Sequence, residues 1–126
     1  MKDYQLGIME TKFARLIWDN APIASGALVK LCEKELGWKK STTYTMLRRL
    51  CNGGLFQNTG GNVTVLQTQQ ELQTLQSEQF LQETFDGSLP KFLASFTKQS
   101  RLTERDIAEL QEIINRHNTE GGETRG

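Results

Sequence analysis

The sequence predicts a mainly α protein in which an N-terminal winged helix-turn-helix with a small β-hairpin wing is followed by a C-terminal helical dimerisation region. Two short amphipathic helices lead into a third that is acid-free, hydroxyl-rich and basic. The hydrophobic period then switches from helical to alternating on either side of a glycine turn. Beyond about Gln69 the chain returns to helical spacing and becomes acidic.

The first helix is expected from about Ile8 to Asn20, with Met9, Phe13, Leu16 and Ile17 on one face, Gly7 and Glu10 at its start and Ala21-Pro22 as its stop. The second spans about Gly26 to Leu36, capped by Ser25, burying Leu28, Leu31 and Cys32 and ending at Gly37 in a left-handed conformation. The third begins near Ser41, whose hydroxyl is the expected cap, turns Thr43, Met46, Leu47 and Leu50 inward and ends at Gly53-Gly54. Leu55 to Asn58 and Val63 to Leu66 are β-prone runs around Thr59-Gly60-Gly61-Asn62, hence a hairpin, which needs packing against the helices to be stable. A Gln-rich helix over about Gln69 to Phe85 carries Leu72, Leu75, Leu81 and Phe85, and Asp86-Gly87-Ser88 breaks it. Pro90 falls in the first turn of a helix with Phe92, Leu93 and Phe96. The last helix opens on Thr103 to Asp106, a near capping box, and aligns Ile107, Leu110, Ile113 and Ile114. The expected organisation is a winged-helix domain over 1–68, a helical dimerisation region over 69–118 and a polar disordered tail over 119–126.

The chain is neutral overall, with 15 Lys plus Arg against 15 Asp plus Glu, but the charge is divided. Residues 1–61 carry nine basic and five acidic groups, a surplus of four positive charges, and residues 62–126 carry six and ten, a deficit of four. No acid occurs from Leu36 to Gln70, where Lys39, Lys40, Arg48 and Arg49 lie. Phosphate binding depends on local charge, so the division outweighs the total. Cys32 and Cys51 fall near apolar stripes and read as buried free thiols. No apolar signal core or membrane-length run is present, so a cytoplasmic protein without membrane insertion is expected.

A helix with hydroxyls and positive charge at its front suits the major groove of double-stranded DNA. Lys39, Lys40, Arg48 and Arg49 are the expected phosphate contacts, with pairing to an acid inside the domain as the second reading for Arg49. Ser41, Thr42, Tyr44 and Thr45 are the expected readers of base edges. The same residues also admit a solvated face, and Trp18 and Trp38 read as packing rather than stacking platforms. An enzyme finds little support: His117 lies near the end of a surface helix, and neither a phosphate-cradling loop nor metal-spaced cysteines occur, so no cofactor or metal is expected.

Glu10, Ile17-Trp18-Asp19, Trp38, Thr42 to Thr45 with Arg49-Leu50, Gly54-Leu55, Phe85 to Ser88 and Leu102-Thr103 ahead of Ile107 and Leu110 occur in an order and spacing that resembles the BlaI/MecI/CopY family of bacterial repressors, over about Leu6 to His117. The resemblance implies a homodimer bound to a pseudo-palindromic operator and, in the penicillinase branch, release through a membrane-bound metalloprotease sensor of β-lactams. Cleavage there falls between Asn and Phe. The corresponding position is Ser95-Phe96, which keeps Phe but not Asn. Phe92, Leu93, Phe96, Ile107, Leu110, Ile113 and Ile114 are the expected dimer contacts. The absence of cysteine after Cys51 argues against the copper-sensing branch, and the wing lacks the Lys and Arg frequent in the family. A winged-helix protein-interaction module, or a repressor answering another signal, is the alternative.

Overall fold

The computed structural model describes residues 3–121. The chain divides into two compact units, Met1–Phe80 and Leu81–Gly126. In the first, α1 (Ile8–Asn20), α2 (Ser25–Leu36) and α3 (Lys40–Asn52) are joined by strands β1 (Ile23–Ala24), β2 (Phe56–Thr59) and β3 (Asn62–Val65), and α4 (Gln69–Phe85) begins there. The second holds α5 (Leu89–Phe96) and α6 (Glu104–Gly121). The architecture is the expected winged helix followed by C-terminal helices.

The core lies in the first unit. Phe13, Ala14 and Ile17 of α1 meet Leu28 and Cys32 of α2, Leu47 and Leu50 of α3, and Leu55, Phe56, Val63 and Leu72. Each large side chain buried here contributes about 1.5–3 kcal/mol over exposure. Met9, expected on the buried face of α1, is 42 % exposed, because the first turn of the helix extends beyond the core. Leu16 and Leu31 are half-buried. Phe13 packs on Trp38 at 5.2 Å and Trp18 on Phe56 at 5.5 Å between ring centroids, and Trp18 Nε1 donates to the Gln67 carbonyl at 2.8 Å. Both tryptophans are therefore packing residues.

Two expected caps are corrected. Ser25 is the first residue of α2, behind Ala24 as N-cap, and its hydroxyl meets Tyr44 instead of a backbone amide. Ser41 lies inside α3, which starts one residue earlier behind Lys39, and no side chain caps that helix. Gly37 does end α2 with φ +68°. At the start of α1, Glu10 accepts the Gly7 N–H at 2.9 Å.

The sheet has the order β1-β3-β2 and is antiparallel throughout, with Ile23 opposite Val63, Ala24 opposite Asn62 and Phe56 opposite Val65. The hairpin was anticipated; the third strand, β1, was not. Gly60 and Gly61 turn the hairpin at φ +58° and +86°, a pair of values that only residues without a Cβ adopt readily.

Thr68 and Glu71 form a reciprocal capping box at the head of α4. On the same helix Gln79 accepts the Tyr4 N–H at 3.0 Å and Gln76 donates to the Tyr4 carbonyl at 2.9 Å, so two glutamines hold one extended residue by its backbone. In the second unit, Asp86 and Gly87 take positive φ after α4, Ser88 caps α5 by accepting from the Lys91 N–H, and Thr103 and Asp106 complete the expected box on α6. Phe92 meets Phe85 edge-on and Phe96 at a tilt, with ring centroids 5.6 and 6.1 Å apart. No described residue of α5 or α6 is fully buried. The last helix continues to Gly121, and the rest of the tail expected from residue 119 lies outside the described residues.

Candidate nucleic-acid interface

Thr43, Leu47 and Leu50 anchor α3 to the core, and this fixes which side of the helix faces outward. Thr43 is fully buried, and its hydroxyl donates to the Lys39 carbonyl at 3.2 Å, satisfying a polar group that would otherwise be costly inside. Ser41, Thr45, Arg48 and Asn52 then follow one another at spacings of four, three and four, a row of exposed side chains along the opposite face. Lys40 and Tyr44 flank this row on one side, Thr42 and Arg49 on the other, and Lys39 stands exposed at the head of the helix. The helix thus brings together all eight residues singled out in the sequence. Asn52 was missed. It lies four residues beyond Arg48, in the last position of the helix, and was not weighed as a contact.

Two of the eight are engaged within the protein. Arg49 Nε lies 3.4 Å from Glu10 Oε2, the intramolecular pairing foreseen as its second reading, although its side chain remains 68 % exposed. Tyr44 is half-buried, with its hydroxyl 3.1 Å from Ser25 Oγ. The remaining six are exposed.

The hairpin stands beside α3. Gln57, Asn58, Thr59 and Asn62 are exposed on it, and no charged residue occurs from Leu50 to Gln70. Positive charge is therefore concentrated on the helix, and the wing offers amides and hydroxyls. Between the two, Tyr44, Leu47, Arg48, Cys51 and Asn58 line a shallow depression. Burial holds the thiols of both Cys32 and Cys51 above the ordinary thiol range, which keeps them protonated and unreactive at neutral pH; the Thr43 hydroxyl opposes the shift at Cys32 and the Asn58 backbone at Cys51.

Such a surface can donate from guanidinium and ammonium groups to phosphate oxygens and exchange hydrogen bonds between hydroxyls and base edges. The sequence pattern of the penicillinase repressor family matches residues 6–116, from just before α1 into the last turns of α6. This chain belongs to the penicillinase repressor family. It is 26 % identical over 117 residues to the penicillinase repressor of Bacillus licheniformis, covering 90 % of this chain and 91 % of that protein. It is 19 % identical over 119 residues to the methicillin resistance regulatory protein MecI of Mammaliicoccus sciuri and to that of Staphylococcus epidermidis, covering 91 % of this chain and 97 % of each of theirs. Membership of the penicillinase repressor family thus extends over both compact units. No described helix is long and apolar enough to cross a membrane.

Proposed function

We propose that this chain is a transcriptional repressor that binds a pseudo-palindromic operator as a homodimer, with α3 in the major groove of each half-site. The observation that carries this reading is the outward face of α3, where hydroxyls and cations line up on a helix locked to the core and no acid interrupts the sequence from Leu36 to Gln70. Lys39, Lys40 and Arg48 contact phosphates, with Arg49 joining them when it leaves Glu10. Ser41, Thr42 and Thr45 read base edges, and Tyr44 contributes from the flank. In a gel shift, Thr42→Ala or Thr45→Ala lowers preference for the operator over random DNA, each good base contact being worth about 1–3 kcal/mol. Lys40→Ala or Arg48→Ala weakens binding to both and flattens the salt dependence by about one logarithmic unit per contact. Wild-type behaviour in all four variants would remove the assignment.

The second compact unit is the dimerisation region. Phe96, Ile107, Ile113 and Ile114 are 44–58 % exposed, and Phe92, Leu93 and Leu110 only half-buried. An equivalent surface of a second copy would cover them.

Repression is relieved by proteolysis at Ser95-Phe96 under a membrane-bound metalloprotease sensor of β-lactams, the reading carried over from the family resemblance. Both residues are exposed in the last turn of α5. The genes controlled are then those of β-lactam resistance or of related stress responses. Exposing cells to a β-lactam while following the chain by immunoblot tests this, and derepression with the full-length chain undiminished would assign release to a different signal.

A further inference from the structure

Ser25 joins the wing to the reader helix. Its backbone N–H donates to the Gly61 carbonyl in the wing turn at 2.7 Å, one step beyond the β1–β3 pairing of Ala24 with Asn62. Its hydroxyl lies 3.1 Å from Tyr44 Oη on α3. The turn packs closely at this point, since a Cβ built on Gly61 would stand 3.7 Å from Ser25 Oγ. One half-buried serine therefore touches β-turn and helix at once, from an α2 end that is itself tied into the sheet.

We infer that Ser25 is a positioning residue that fixes the separation between wing turn and reader helix, and through it the discrimination among DNA sequences. The inference rests on the DNA-binding reading above and deepens it. Base readout needs hydrogen-bond distances and angles held within narrow limits. Attraction between cations and phosphates falls off only over a Debye length of about 8–10 Å. Loosening the link between helix and wing accordingly costs a cognate duplex more than a random one. Each hydroxyl carries one proton, and the contact consumes one of the two. Removing either hydroxyl abolishes the same contact, so the two effects are coupled.

The test uses the full chain and a duplex enriched by the wild-type protein from a randomised pool, with unenriched DNA as comparison. Ser25→Ala is expected to weaken binding to the enriched duplex about three- to tenfold, the loss of one hydrogen bond. It leaves random-DNA affinity unchanged, Ser25→Thr restores discrimination, and adding Ser25→Ala to Tyr44→Phe changes affinity by less than about twofold because the contact is already gone. Equal losses on both duplexes, or effects that add in the double variant, overturn the inference, as does full discrimination by Ser25→Ala. Thermal melting of each variant separates loosened geometry from general destabilisation: a lowered melting temperature with equal losses on both duplexes marks Ser25 as merely structural. Failure of the wild-type chain to enrich any duplex overturns the DNA-binding reading and this inference with it, whereas enrichment with unaffected variants overturns the inference alone.

Discussion

Single residues decide which polar groups the first unit can hold inside. Thr43 is buried because its hydroxyl finds the Lys39 carbonyl, and it also supports the neighbouring Cys32. Burial raises the Cys32 thiol, so the folded chain keeps its proton after the unfolded chain has lost it. The unfolded state then binds fewer protons, and stability present at neutral pH is lost as pH climbs past the unfolded thiol pKa of about 8.5. Cys32→Ala leaves a small cavity that costs about 1 kcal/mol or more at neutral pH. Its deficit relative to wild type should shrink in urea titrations between pH about 8 and 10, the range around the thiol pKa, because alanine has nothing to ionise. A constant deficit across that range would refute the account.

Elements were legible where their signals are local. The span of α1, the span of α4, the proline opening of α5 and the threonine box of α6 follow from periodicity and end groups that lie within a few residues of one another. Strand β1 is two residues long, and its pairing partner lies about forty positions away, so no period marks it. The caps of α2 and α3 were misjudged for a related reason. A serine before an apolar stripe has several possible partners, and Ser25 took Tyr44, nineteen positions distant. The outward face of α3 was legible because acid-free sequence and inward-turning Thr43, Leu47 and Leu50 are both visible in one dimension. The uncharged hairpin was visible too, and it carries a prediction at this scale: Thr59→Lys should tighten binding to random DNA and steepen the salt dependence by about one logarithmic unit. An unchanged salt slope would show that the wing lies away from the phosphates.

At the scale of the whole molecule, the two units divide their labour by what they bury. The first closes its own core, whereas α5 and α6 leave a stripe of phenylalanine, leucine and isoleucine uncovered. Ile114→Asp would place an unpaired charge in the proposed contact between copies, at a cost of several kcal/mol. Analytical ultracentrifugation should find this variant monomeric and gel shifts should find it weak on the operator, while the melting of the winged helix stays near wild type. A wild-type monomer at micromolar concentration would remove the dimer. The neutral wing has a further consequence inside a cell. A regulator is in constant competition between one operator and a chromosome of unspecific sites, and the electrostatic share of its affinity is the part the chromosome exploits. On the proposed reading, a hairpin without cations would leave fewer copies of this chain stranded on bulk DNA. A smaller pool of molecules would then suffice to keep the proposed operator occupied, and, were release proteolytic as proposed, that pool would be emptied sooner.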